Sequence, residues 1–284
     1  MRRIIAARTA FAQIPTRPAA TVVASRRPAR PEGCRLAWTT AVLLAGALVF
    51  SAPARATYLL TDLGALGGTS SSGTAINASG QVTGAAFTSG NVAQHAFLYS
   101  NGVMTDLGTL VGGTNSYSAA INASGQVTGT ATTVGNATPH AFRYSNGVMT
   151  DLGTLGGSFS YGQAINAAGQ VTGRSYTPGI QEHAFRYSNG GMTDLHTLGG
   201  TESSGVAIND SGQVTGSSRT IGNFEQHAFL YSGGSMLDLG TLGGSTSYGQ
   251  AINASGQVTG GANLEYNWYP VSYTHLTLPT NREV

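Results

Sequence analysis

One sequence pattern occurs five times with a period of 43 to 45 residues, and it limits the chain to a repeat architecture. Each copy contains D-L-x-x-L, a Gly-Gly pair, then A-I-N-x-x-G-Q-V-T-G, a variable stretch and, in four copies, H-A-F. Proteins with such a period stack one supersecondary unit on the next. The repeated positions are the aspartates Asp62, Asp106, Asp151, Asp194 and Asp238, the asparagines Asn77, Asn122, Asn166, Asn209 and Asn253, and the histidines His95, His140, His183 and His227.

The pattern inside one copy predicts two β-hairpins. His95–Tyr99 alternates large and small residues, Asn101-Gly102 is a strong hairpin turn signal, and Val103–Leu107 returns as a strand. A second pair of strands, 119–122 and 126–131, surrounds another glycine turn. Two hairpins in about 44 residues predict an all-β fold, a β-propeller with four-stranded antiparallel blades. The alternative is a β-solenoid. The Gly-Gly pair is expected in the link between sheets.

The two ends of the chain differ from the repeats. Arginine-rich residues precede an apolar run at 36–50 and Ala54-Arg55-Ala56, so residues 1–56 are expected to be a secretory signal with a long basic start. Residues 57–270 are the repeats. Residues 271–284 lack the repeat pattern and resemble translated read-through of a sequencing-library adapter, so we expect a non-native tail on a C-terminally truncated propeller.

The composition of residues 57–270 excludes several function classes. This segment has four arginines and ten acidic residues, for a net charge of −6, and it contains neither lysine nor cysteine. A basic surface for nucleic acid is therefore not expected, nor are a P-loop, a thiol nucleophile or an iron–sulfur site. The sequence predicts no cofactor, no metal and no membrane span after cleavage of the signal.

The D-L-G-x-L-G-G, A-I-N-x-x-G-Q-V-T-G and H-A-F-L-Y-S-N-G motifs together resemble the HAF-repeat family. The resemblance covers essentially all of residues 57–270, with four H-A-F motifs in register. Members of this family are described as extracellular repeat proteins of bacteria. The resemblance therefore implies an exported protein, located outside the cell, at its surface or in the periplasm. It implies no established chemistry, so no catalytic residue is carried over.

The repeated polar residues are interpreted as structural. A ring of H-A-F histidines could hold a metal, but a residue present in every blade more often serves its own blade, here by a hydrogen bond to a turn or to the D-L-G aspartate. The aspartates and asparagines suit turns better than calcium ligands. Four of the asparagines lie in N-x-S sequences, but Asn166 does not, which favours a shared turn role over glycosylation.

The variable segments between T-G and H-A-F are the expected binding face. If each links the same two strands, their side chains lie on one side of the fold. Aromatic residues there would suit a polysaccharide or another extracellular protein. The candidate residues for this face are Arg174, Tyr176, Arg219, Phe224, Tyr266 and Trp268.

Two functions are consistent with the sequence. The first is a non-enzymatic binding or structural protein, favoured because no catalytic constellation is visible. The alternative is a glycan-active hydrolase or lyase, which needs two carboxylates close together. The non-repeated acids are Glu182, Glu202, Asp210, Glu225 and Glu265. Glu182 and Glu225 are expected at equivalent positions of adjacent blades, which argues against a unique pair. A raised pKa of either glutamate in a cleft would favour the enzyme.

Overall fold

The computed structural model describes residues 60–136 and 138–264, and residues 267–276 as backbone. The expected signal, 1–56, lies outside the described residues, as do residues 277–284 of the expected adapter tail. In the part of the chain that is described, no helix is long and apolar enough to cross a membrane.

The repeats form antiparallel sheets in which strands follow one another in chain order. The first sheet contains β1 (Gly67–Ile76), β2 (Val82–Thr88), β3 (Gln94–Ser100) and β4 (Val103–Asp106); the second β5 (Ser116–Ile121), β6 (Val127–Thr132), β7 (Pro139–Ser145) and β8 (Val148–Asp151); the third β9 (Ser160–Ile165), β10 (Val171–Tyr176), β11 (Glu182–Ser188) and β12 (Gly191–Asp194). The fourth contains β13 (Gly199–Ile208), β14 (Val214–Thr220), β15 (Gln226–Ser232) and β16 (Ser235–Asp238); the fifth β17 (Ser247–Ile252), β18 (Val258–Leu264) and β19 (Asn267–Leu276). Short 3₁₀ turns occupy Ser89–Asn91, Val134–Asn136 and Ile221–Asn223.

The first four sheets confirm the predicted all-β fold of four-stranded antiparallel blades, and three strands of the fifth lie among the described residues. Each sheet is a meander made by one stretch of chain, as in a propeller, whereas the rungs of a solenoid would pair with neighbouring rungs. The hairpin turns have the predicted geometry: Asn101 and Gly102 have φ of 52° and 83°, so both central residues are left-handed, as a type I′ turn requires.

The variable segments connect equivalent strands in each sheet. Every one runs from the second strand to the third, for example from β10 to β11 and from β14 to β15. The Gly-Gly pair lies in the link between sheets or at the start of the next first strand, as at Gly67 and Gly199. One common connection therefore carries most of the sequence variation between repeats.

The hydrophobic core lies between consecutive sheets. The H-A-F phenylalanines are fully buried: Phe97, Phe142, Phe185 and Phe229. The alanine before each faces the other way, because side chains alternate along a strand. Ala141 of the second sheet thus packs with Val171 and Phe185 of the third, and Ala184 of the third packs with Val214 and Phe229 of the fourth. A small residue at this position lets the two sheets approach closely.

Each A-I-N asparagine stabilises its own turn, and the first four also contact the next sheet. The side-chain nitrogen of Asn122 donates to the carbonyl oxygen of Asn166 at 2.9 Å. Its side-chain oxygen accepts from the backbone N–H groups of Ser124 and Gln126 at 3.1 and 3.0 Å. The same onward bond joins Asn77 to Asn122, Asn166 to Asn209, and Asn209 to Asn253. An amide side chain has enough donors and acceptors for both tasks.

We expect Asn122→Ala to lower the free energy of unfolding by about 2 kcal/mol, because it leaves buried N–H and C=O groups unpaired. Urea unfolding would measure the loss. Asn253→Ala is the matched control: Asn253 accepts the same two turn bonds, but has no onward carbonyl partner among the described residues. Equal losses in the two variants would show that the bond between sheets adds nothing.

A β-bulge in each first strand brings the backbone very close to the T-G glycine of the second strand. In the third sheet the register shifts between the pairs Thr172–Ala164 and Gly173–Gly162. A Cβ atom on Gly173 would lie only 1.9 Å from the carbonyl oxygen of Tyr161. The repeated glycine of Q-V-T-G is therefore required by close packing of two strands.

Candidate active site between the third and fourth sheets

Each H-A-F histidine contacts the D-L-x aspartate on the neighbouring strand. His95 Nδ1 lies 2.8 Å from Asp106 Oδ2, and the same contact joins His140 to Asp151, His183 to Asp194 and His227 to Asp238. The aspartate also accepts the N–H two residues further on, as Asp106 does from Gly108 at 2.7 Å. The structure thus brings these residues together as four separate pairs. Asp62 lies before β1, outside the strands.

Only part of the expected binding face lies on loops. Arg174 and Tyr176 belong to β10 and Arg219 to β14, because these strands extend into the variable segments. Phe224 follows a 3₁₀ turn and is 88% exposed. Tyr266 lies outside the described residues, and Trp268 is described only as backbone in β19.

The two arginines lie in a groove between the third and fourth sheets, together with two glutamates. Arg174 Nε lies 3.0 Å from Glu182 Oε1. The two side chains form an ion pair, but the Nε–H group of Arg174 makes no hydrogen bond. Arg219 Nε lies 3.8 Å from Glu202 Oε2. The groove has a volume of about 210 Å³. Its other lining residues are Ser203, Ser204, Ser217, Ser218 and Gln226.

The strand register shows that Glu182 has no glutamate counterpart at the equivalent position of the fourth sheet. Glu182 pairs with Tyr176 across β10 and β11, and the equivalent pair in the fourth sheet is Arg219 with Gln226. Glu182 is therefore equivalent to Gln226. The expectation that Glu182 and Glu225 occupy equivalent positions was wrong by one residue. Glu225 lies just before β15, with Oε2 3.2 Å from His227 Nε2, and it does not line the groove.

The environment of Glu182 favours its protonated form. Burial raises the pKa of this carboxyl, the Arg174 guanidinium lowers it, and the Glu202 carboxylate raises it, so that the pKa lies above its ordinary value. The Glu182 side chain is only 22% exposed, whereas that of Glu202 is 61% exposed. The groove therefore holds one carboxyl whose pKa is raised and a second carboxyl that is more exposed to solvent.

Tyr161 forms a support behind the Arg174–Glu182 pair. The Arg174 guanidinium lies 4.8 Å from the centre of the Tyr161 ring. Burial raises the pKa of Tyr161, with Arg174 opposing that change and Tyr176 and Glu182 adding to it. Stacking on this ring fixes the arginine close to the more buried glutamate.

Sequence reasoning named Glu182 and Glu202 only among five scattered acids. The available signal was a break in the repeat: Glu202 stands where other copies have Ser70, Asn115, Phe159 or Thr246. Of the other acids, Asp210 accepts the backbone N–H of Ala167 at 2.9 Å, and Glu265 lies outside the described residues.

A second deviation occurs in the same copy. His196 stands where the other copies have glycine, and its ring nitrogen Nδ1 lies 3.4 Å from Asp194 Oδ2. Burial alone would raise the pKa of Asp194. The hydrogen bond from His183, the backbone N–H of His196 and the two imidazole charges outweigh burial and lower this pKa. Asp194 thus has histidines on two sides.

Comparisons with known proteins give matches only among solved structures. No family model and no curated protein matches the chain. One similar structure is a gluconolactonase from Xanthomonas campestris, with a TM-score of 0.37 and 10% identity over 70% of this chain and 72% of that one. Another is a protein assigned as a gluconolactonase, with a TM-score of 0.34 and 14% identity over 65% of this chain and 71% of that one.

Both of these structures are described as enzymes. That finding contradicts the sequence-based expectation that this protein is not an enzyme, and the expectation is not retained. The substrates of those two proteins are not assigned to this chain.

Proposed function

We propose that this protein is an exported glycan-active hydrolase or lyase whose reaction takes place in the groove between the third and fourth sheets. The observation that carries the proposal is Glu182, a partly buried carboxyl with a raised pKa that lines a groove together with Glu202. Hydrolysis of a glycosidic bond uses two carboxyl groups, one of which donates a proton to the leaving oxygen.

The two glutamates would take different roles because their surroundings differ. Glu182 favours its protonated form and would act as the general acid. Glu202 is more exposed and lies beside Arg219, so it would supply the negative charge that activates water or stabilises the developing positive charge. Arg174 would orient the Glu182 carboxyl through their ion pair.

The lining of the groove suits a sugar. The hydroxyls of Ser204 and Ser217, the Gln226 amide and the two charged pairs offer donors and acceptors for sugar hydroxyl groups. The volume of about 210 Å³ is below the roughly 300–1,000 Å³ of pockets for drug-sized ligands. One sugar unit would occupy the groove while the rest of a polysaccharide lies outside it.

Export is supported by the sequence. The basic start, the apolar run and the Ala54-Arg55-Ala56 sequence have the order of a secretory signal. The resemblance to HAF repeats has the same implication. A protein outside the cell would meet polysaccharide as a substrate or as a partner.

A reducing-end assay on a panel of neutral and uronic-acid polysaccharides tests the proposal, followed by a pH–rate profile on any substrate cleaved. Because Glu182 must be protonated, activity should persist above the ordinary pKa of glutamate and fall as the pH rises through the raised pKa. Arg174→Met removes the charge that lowers this pKa, so the alkaline limb should move to higher pH. Absence of cleavage across the panel, or a limb unmoved in Arg174→Met, would contradict the proposal.

A further inference from the structure

The turn after β12 differs from the equivalent turns because a non-glycine residue occupies a left-handed backbone position. His196 has φ of 62°, and the glycines at the same position elsewhere have φ between 70° and 79°: Gly64, Gly108, Gly153 and Gly240. A bulky side chain rarely adopts this left-handed conformation. Strained backbone positions of this kind concentrate at binding and catalytic sites.

The histidine at position 196 adds a third potential metal ligand to the histidine–aspartate pair that every complete copy contains. His183 Nδ1 lies 2.9 Å from Asp194 Oδ2, and His196 Nδ1 lies 3.4 Å from that same oxygen. One potential ligand atom from each of the three residues falls within 4.8 Å of the others. The pairs His95–Asp106, His140–Asp151 and His227–Asp238 each have glycine instead of the second histidine.

We propose that His183, Asp194 and His196 form a site for a divalent transition metal, with Zn²⁺ as the best match. Two imidazole nitrogens and one carboxylate oxygen form a zinc ligand set that leaves a fourth position for water or another ligand. Magnesium and calcium prefer oxygen ligands and suit this set less well.

The separations of the two imidazoles from the carboxylate lie near those of a tetrahedral ion, and the third separation is within 4.8 Å. Bonds of 2.0–2.2 Å place tetrahedral ligand atoms about 3.3–3.6 Å apart. The separation of His196 Nδ1 from Asp194 Oδ2 is 3.4 Å. The contact between His183 and Asp194 must open by about 0.4 Å from its 2.9 Å, with the His183 Nδ1 proton leaving to solvent as the metal takes its place.

Neighbouring groups already fix the carboxylate and leave the site accessible. The backbone N–H of His196 donates to Asp194 Oδ1 at 2.7 Å, an outer contact of the kind that orients metal ligands. The His196 side chain is 77% exposed, so an ion can enter from solvent. The site is independent of the groove chemistry proposed above.

The test is Zn²⁺ binding by the tag-free full chain, measured by competition with a chromophoric chelator, with Co²⁺ absorption as a report on tetrahedral geometry. We expect one tight ion per chain. His196→Gly restores the turn of the other copies, so it should fold while losing at least about 100-fold in affinity. The reverse exchange, Gly153→His, should place a third ligand beside His140 and Asp151 and raise the stoichiometry towards two.

Two results would overturn the site. One is Zn²⁺ affinity in His196→Gly equal to that of the unaltered chain. The other is tight binding by the unaltered chain without the Co²⁺ absorption typical of tetrahedral coordination. Circular dichroism of each variant shows that it is folded.

Discussion

Glu182→Gln should lower the turnover number on an unactivated glycan by about 10²- to 10⁴-fold, because glutamine cannot donate the proton that the leaving oxygen needs. The loss should be much smaller on an aryl glycoside whose leaving group departs without protonation. Initial rates on the two substrates, compared between the unaltered chain and the variant, give the measurement.

The fold should survive this substitution. A group whose pKa is raised on folding stabilises the folded state below its unfolded pKa, and that stability is lost as the pH rises through the folded pKa. At a pH above the folded pKa of Glu182, glutamine therefore removes the cost of burying the ionised carboxyl, and the midpoint of thermal unfolding should not fall.

Glu225→Gln is the matched control for Glu182→Gln. Glu182 is the first residue of β11, and Glu225 directly precedes β15, the equivalent strand. Glu225, however, contacts His227 outside the groove. Its replacement should leave turnover unchanged. If Glu225→Gln reduced turnover as much as Glu182→Gln, the assignment of the proton donor would be wrong.

Gly173→Ala should lower the free energy of unfolding by about 3 kcal/mol or more, or prevent folding. A Cβ atom there would lie 1.9 Å from the Tyr161 carbonyl oxygen and 3.1 Å from the Phe185 ring, so the bulged strands must separate. Overpacking against a rigid backbone costs about 1–3 kcal/mol and occasionally more. Chemical denaturation followed by circular dichroism measures the change.

Gly191→Ala separates this steric effect from the general effect of replacing glycine in a strand. Gly191 lies in β12 of the same sheet, its φ is not positive, and a Cβ atom there would meet nothing within 4 Å. We expect its replacement to leave stability unchanged or slightly increased. A similar loss in both variants would show that the close approach of the bulge is unimportant.

Much of the fold follows from local sequence. The two-residue alternation and the Asn-Gly turns predicted the outer hairpin closely, with Val103–Leu107 observed as β4, Val103–Asp106. The predicted start of the inner hairpin was less accurate, since β5 begins at Ser116 and not at 119. The Ser116 hydroxyl accepts the N–H of Ala96 in the preceding sheet, a contact that no local pattern shows.

The candidate site was less accessible to sequence reasoning. A shift of one residue reverses which face of a strand a side chain occupies, so the mistaken equivalence of Glu182 with Glu225 obscured the groove. Arg174 and Arg219 are expected in loops, but strand pairing continues through them, and their side chains line the groove. The sequence therefore identifies these two arginines as candidates but does not show which residues they contact.

The sequence by itself determined the repeat, its hairpins and the polar residues that recur, because these depend on interactions within a few dozen residues. Only the tertiary structure decided which single residues meet. Glu182 and Glu202 come from different sheets, and His196 reaches the His183–Asp194 pair through an unusual turn. Such meetings depend on the packing of sheets and on strand register, which are set by the whole assembled core and not by any one repeat.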